Sequence, residues 1–410
     1  MAEGPTWREL LGSNNWDGLL DPLNDDLRRL ILRCGDLCQV TYDTFINDPN
    51  SKYCGCSRYA KADVLRRTAC LEWDRYDVVG FLYATARVSM PEAFLLKSLS
   101  RERWDRESNW IGYIAVSKDE VSAEMGRREI YVVWRGTTRN YEWIDVLGAK
   151  LQSAKPLLHK AANGNLVPSV LFSVLVFLSF VFSNHANGDD GSDNEGDHES
   201  EPKVMRGWLT MYLSNDPKSP FTKLNEDVSI VFTGHSLGAT LSALAAFDVV
   251  ENLTTEIPIS AIVFGCPKVG NKVLKAKFDS YPNLKVLHVK NSIDLIPHYP
   301  ARLMGYVHIG TELVIDTRKS NFLKDSKNPS DWHNLQAMLH VVNGWHGIKR
   351  IFALKIKRSI ALVNKSCDFL KEEYLVPPSW WVEKNKGMVI NKEGEWVLAV
   401  PKEGPIPKYD

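Results

Sequence analysis

Short apolar runs, each stopped by a turn signal, set the rhythm of the middle of this chain. Residues 130–134 end at Arg135-Gly136-Thr137, and residues 228–233 end at Gly234-His235-Ser236-Leu237-Gly238. Residues 261–264 end at Gly265-Cys266-Pro267, and residues 284–289 run on to Asn291-Ser292-Ile293-Asp294. None alternates strictly between apolar and polar positions, which suits strands covered on both faces. Helical stretches lie between some of them, notably residues 239–250. Strands alternating with helices predict an α/β protein with a mostly parallel sheet and right-handed crossovers.

The flanks read differently. Residues from about 7 to 45 look largely helical, with Leu27, Leu30, Ile31 and Cys34 on one face and Arg28, Arg29 and Arg33 elsewhere. Asn24 or Asp25 is the expected N-cap. We take residues 1–60 as the N-terminal helical segment of a single domain spanning 1–410. The part from about 349 onward carries one long helical pattern, then Val376-Pro377-Pro378 and a Trp-containing tail. Two stretches break the pattern. Residues 165–183 carry no charge and approach transmembrane length, and residues 184–202 are polar and acidic, as in a solvated or disordered loop.

Composition narrows the function. Fifty basic residues balance 50 acidic ones in 410, with 44% hydrophobic, as in a soluble globular protein. Neutral balance and scattered Lys and Arg give no reason to expect nucleic acid, or an anionic membrane as a permanent partner. The seven cysteines lack zinc-site spacing and are expected to be buried reduced thiols. The first residues show no signal-peptide pattern, so a cytoplasmic protein is expected.

One motif carries chemistry. In Gly-x-Ser-x-Gly a serine occupies a sharp strand-to-helix turn, and small neighbours relieve the crowding there. Here an apolar strand precedes the motif and a small-residue helix follows, so Ser236 is the candidate nucleophile. A serine needs a base and an orienting carboxylate, in the chain order Ser, Asp, His. Asp294, just past a strand, is the candidate acid, with Asp316 as fallback. His333 and His340 are both candidate bases; His333 is favoured because it stands where a helix begins, whereas His340 reads as a packed helix residue. His235 and His288 read as structural. Donors for a developing oxyanion are expected from the Leu237 N–H and from Thr137.

Together these residues resemble the lipase class 3 family, and within it the plant class II (cytosolic) phospholipase A1 enzymes. Carriers include Trp16-Asp17-Gly18-Leu19-Leu20-Asp21-Pro22, Trp134-Arg135-Gly136-Thr137, Gly207-Trp208-Leu209-Thr210 and Gly234-His235-Ser236-Leu237-Gly238-Ala239. Residues 265–271, Asn291-Ser292-Ile293-Asp294, His333-Asn334-Leu335 and residues 364–370 extend the match, which is poor from about 155 to 230. The resemblance implies an α/β-hydrolase fold with helices flanking the sheet, and hydrolysis of the sn-1 ester of phospholipids, with galactolipids or glycerides as further substrates. It implies no metal or cofactor and no stable protein partner. It assigns Ser236 as nucleophile, Asp294 as acid, His333 as base and Thr137 as oxyanion donor, with residues 140–145 as a lid.

The sequence departs from the family pattern in one region. A helix usual before the nucleophile strand is missing, because Lys223 is followed by only Leu224-Asn225-Glu226-Asp227 before Val228. Parallel strands need a crossover of a dozen or more residues. A single membrane crossing at 165–183 would put Thr137 and Ser236 on opposite sides of a bilayer, which one sheet forbids. The run is therefore read as a buried or interfacial substitute for that helix, or as translated non-coding sequence.

Overall fold

The computed structural model of the chain describes residues 4–48, 50–68, 70, 72–84, 109–137, 227–252, 257–381 and 384–399. The apolar run 165–183, the acidic stretch 184–202, the expected lid at 140–145 and the shortened approach at 224–226 lie outside these residues. Seven strands form the main sheet: β1 (Tyr76–Ala84), β2 (Asn109–Ser117), β3 (Arg127–Trp134), β4 (Asp227–His235), β5 (Ile259–Phe264), β7 (Leu284–Asn291) and β9 (Thr311–Ile315). They lie side by side in that order. From β3 to β9 all neighbours are parallel, whereas β1 and β2 add an antiparallel edge. A two-residue ribbon of β6 (Gly270–Asn271) and β8 (Tyr306–Val307) stands apart from the sheet.

Both faces of the sheet are covered, which explains the uninterrupted apolar runs. Tyr131, Val133 and Val231 face a core shared with the Asp25–Thr44 and Leu335–Gly344 helices. Ile130, Val132, Ile230 and Phe232 face the opposite core, under the Leu237–Asn252 helix. Alternation in direction persists along each strand, but both directions are apolar.

The N-terminal helix is shorter than the sequence suggests. Trp7–Leu10 and Asp25–Thr44 are separate helices. Between them Asn15 and Trp16 take left-handed conformations, and the buried Trp16 indole donates to the Leu10 carbonyl at 2.8 Å. The tryptophan anchor breaks the helical path there. Asn24 caps the longer helix, its side chain accepting from the N–H groups of Asp26 and Leu27. Arg28 is not outside the core but fully buried. Its guanidinium donates to the Val342 and Asn343 carbonyls, at the C-terminal end of the Leu335–Gly344 helix, where a cation offsets unpaired carbonyls.

The long helix expected after residue 349 is also absent. Residues 351–359 run irregularly, and what coils after them is short 3-10 helix, at Ile360–Lys365, Glu372–Tyr374 and Lys384–Gly387. Tertiary partners take the backbone groups that a helix would use. The Ile356 N–H donates to the Asn343 side chain, and the Asn343 amide returns a bond to the Ile356 carbonyl, both at 2.8 Å. All seven cysteines are free, but they are not uniformly buried, since Cys56 is exposed. Among the described residues no helix is long and apolar enough to cross a membrane.

Two buried ion pairs fasten the C-terminal segment to the N-terminal helix. Arg358 meets Asp36 at 2.7 Å, and Lys365 meets Asp43 with both side chains nearly solvent-free. Truncating one partner strands the other charge in a dry site. Lys365→Met is expected to lower unfolding free energy by about 3–5 kcal/mol. Lys365→Met with Asp43→Leu should recover much of that loss in urea denaturation. A single variant as stable as the parent would contradict this role.

Candidate active site

Ser236 sits between the end of β4 and the first turn of the Leu237–Asn252 helix, with φ of 60°. A non-glycine residue in that region costs on the order of 1–3 kcal/mol and persists only when its surroundings impose it. Here the Ser236 N–H donates to the Phe264 carbonyl at 3.0 Å, while the Ser236 carbonyl accepts from Ala239 at 3.0 Å. The backbone also packs very closely. A Cβ on Gly238 would fall 2.3 Å from the Trp134 carbonyl oxygen and 2.8 Å from the Arg135 carbonyl carbon. Glycine there lets the loop after β3 lie directly against the Ser236 turn. Leu237 opens the helix, so its N–H has no intrahelical acceptor.

Thr137 stands in that β3 loop. The buried Arg135 side chain holds the loop by donating to the Gly136 and Trp110 carbonyls, at 2.8 and 3.3 Å. The Thr137 hydroxyl is buried without a hydrogen-bond partner among the described residues.

Asp294 and His333 meet across the end of the sheet. Asp294, 1% exposed, follows β7, and its Oδ1 accepts from the Ile296 N–H at 2.9 Å. Its Oδ2 accepts from His333 Nδ1 at 2.6 Å. His333 lies in the joint between the Pro329–Trp332 helix and Asn334, which caps the Leu335–Gly344 helix. Its Nε2 is buried and unpartnered. A Cβ on Gly265, at the end of β5, would come within 2.8 Å of the His333 ring and 3.3 Å of Asp294 Oδ2. That glycine admits the pair beside the turn carrying Ser236.

Two groups position the pair: His235, read from the sequence as structural, and Asn291, to which the sequence assigned no role. The His235 Nε2–H donates to the His333 carbonyl at 2.9 Å, so Nδ1 must accept the Tyr42 hydroxyl at 2.7 Å. Burial, aided by the nearby His333, pushes the His235 pKa well below the usual histidine range and keeps one proton on the ring. His235 thus holds His333 through its backbone. Asn291 does similar work, its amide donating to the Trp332 carbonyl at 2.9 Å and to Thr317 Oγ1 at 3.0 Å. A motif histidine was visible in the sequence; its distant partners were not.

The alternative candidates lie elsewhere. Asp316 caps a 3-10 turn and pairs with Arg318 at 2.8 Å. His340 shares a 2.8 Å hydrogen bond with Ser320, and burial pushes its pKa down to about 3. His288, His308 and Glu312 form the one group of clustered metal-ligand types among the described residues. They do not suit a cation. His288 Nε2 already accepts the Cys266 N–H at 2.9 Å, so in the neutral ring Nδ1 carries the proton. Lys290 also occupies Glu312 at 2.7 Å.

Known proteins resemble this chain over most of its length. A family model described as Lipase (class 3) matches residues 131–304. Phospholipase A1-IIdelta of Arabidopsis thaliana is 56% identical over 98% of this chain and 98% of its own. Phospholipase A1-II 5 of Oryza sativa subsp. indica is 44% identical over 98% of this chain and 84% of its own. The lipase of Rhizopus microsporus var. chinensis superposes with a TM-score of 0.38 at 18% identity, over 72% of this chain and 76% of that one.

The buried histidines give the molecule an acid limit. His235, His288 and His340 all have folded pKa values below the unfolded value of about 6.5. The unfolded chain therefore binds more protons once pH falls below about 6.5, and stability is lost in that direction. For His340 the loss by pH 5 is about 2 kcal/mol. Thermal melts should show Tm falling from pH 7.5 to 5, with a shallower slope in His340→Gln. An unchanged slope in that variant would contradict the assignment.

Proposed function

Because the chain belongs to the class 3 lipases, and within them to the plant phospholipase A1-II family, we propose that it hydrolyses the sn-1 acyl ester of phospholipids through an acyl-enzyme on Ser236. One observation carries this reading. His333 is held on Asp294 through Nδ1, while its buried Nε2 is left without a partner beside a strained serine turn.

In this reading Ser236 Oγ attacks the acyl carbonyl carbon as its proton passes to His333 Nε2. Asp294 fixes the ring tautomer and offsets the charge gained by the imidazole. Negative charge on the carbonyl oxygen is met by the Leu237 N–H and by Thr137, whose hydroxyl is already desolvated. Collapse breaks the ester bond, and the departing glycerol oxygen takes the proton from His333. Water then repeats the sequence on the acyl-serine, with His333 as base, and releases fatty acid.

The preorganised site makes large losses the expected result of substitution. Ser236→Ala should lower the turnover of phosphatidylcholine by on the order of 10⁴-fold or more. Asp294→Asn should cost on the order of 10³–10⁴-fold by freeing the wrong tautomer. Phosphatidylcholine labelled separately at the two acyl positions gives the direct test. Label is expected from sn-1; primary release from sn-2, or release undiminished in Ser236→Ala, would overturn the proposal.

A further inference from the structure

Overall neutrality conceals a local imbalance beside the site. Between residues 265 and 310 seven Lys and Arg stand against two Asp; Lys275, Lys277 and Lys290 pair with Asp279, Glu251 and Glu312, and Lys268, Lys272, Lys285 and Arg302 have no carboxylate partner among the described residues. This stretch includes the segments that leave the carboxyl ends of β5 and β7, the edge that carries Asp294 and His333. The β6–β8 ribbon ties the two segments together, pairing Asn271 with Tyr306.

Just beyond that pair, on both segments, the chain exposes large apolar side chains. Val273 is 75% exposed, Met304 46% and Leu303 fully exposed. Leu295, next to Asp294, is 58% exposed. Single exposed apolar residues are ordinary, but a group of them framed by cations is a different surface. Lys272 and Arg302 flank the tip, both exposed and without an ion-pair partner among the described residues. Partial burial lowers the Lys268 pKa, and the charges of Lys290 and Arg302 lower it further. Lys268 also pins the turn below the tip by donating to the Pro300 carbonyl at 3.0 Å.

We propose that the Val273–Leu303–Met304 tip and its flanking Lys272 and Arg302 dock the enzyme on a bilayer surface containing anionic phospholipid. The side chains at the tip enter the headgroup boundary while the cations meet phosphate groups. An enzyme acting on lipid in a bilayer gains by holding its acid–base edge at that boundary, and here the proposal rests on the function argued above. The docking itself does not depend on catalysis.

The test uses the full chain in a Ser236→Ala background, so that vesicles stay intact. Flotation is measured with phosphatidylcholine vesicles, with and without 30 mol% phosphatidic acid — about that fraction suffices for a strongly negative surface. Each Lys or Arg near such a surface adds about fivefold to partitioning. Lys272→Glu with Arg302→Glu, and separately Leu303→Ser with Met304→Ser, are each expected to lower binding to acidic vesicles at least tenfold. With Ser236 restored, both double variants should hydrolyse a soluble short-chain ester within about twofold of the parent. Equal binding to neutral and acidic vesicles would overturn the proposal, as would a loss confined to one double variant. If soluble-ester hydrolysis is missing even in the parent, it is the hydrolase reading that fails, while the flotation result stands alone.

Discussion

Everything at the candidate site depends on one constraint, the left-handed conformation of Ser236 between β4 and its helix. The chain must turn from strand to helix within a single residue there, and Ser236 carries the strain at φ of 60°. Glycine at 238 is what allows the β3 loop to close against the turn, since any side chain would collide with backbone that cannot yield. The same tight turn leaves the Leu237 N–H at an open helix end, with the backbone of Trp134, Arg135 and Gly136 packed against it. Parallel pairing of β4 with β3 on one side and β5 on the other holds this geometry from both flanks.

A second layer of the structure keeps the histidine in register with that turn. Asp294 and His333 arrive from separate segments, one just past β7 and the other at the end of the Pro329–Trp332 helix. The His235 imidazole donates to the His333 carbonyl and accepts the Tyr42 hydroxyl, while the Asn291 amide donates to the neighbouring Trp332 carbonyl, at 2.7–2.9 Å. Tyr42 belongs to the Asp25–Thr44 helix, which is in turn clamped by Arg358 and Lys365 of the C-terminal segment. The N-terminal helix and the C-terminal segment, outside the parallel sheet, are thus mechanically continuous with the Asp294–His333 pair.

What the sequence made legible follows from the range of the interactions involved. The strand, turn and helix around Ser236 are adjacent in the chain, so pattern alone disclosed them. The apolar strands of the parallel sheet were equally plain, because burial on both faces leaves an unbroken signature. The outer strands β1 and β9 and the antiparallel β2 were not read as strands, and β9 is short and carries Glu312. Arg28 looked like a solvent-facing residue because nothing nearby in sequence announces the helix end it caps. Tyr42 and His235 are 193 positions apart, and no local pattern marks their bond. The long helix expected past residue 349 failed for the opposite reason: apolar spacing allowed it, but Asn343 offered the backbone better partners.

The central claim is that the Ser236 turn is assembled and reactive in the folded chain. Peptide mapping by mass spectrometry after brief fluorophosphonate treatment tests it most directly. The expected result is one adduct, on the peptide containing Ser236, that disappears when the protein is unfolded before treatment. An adduct at another residue, or none on folded protein, would contradict the account.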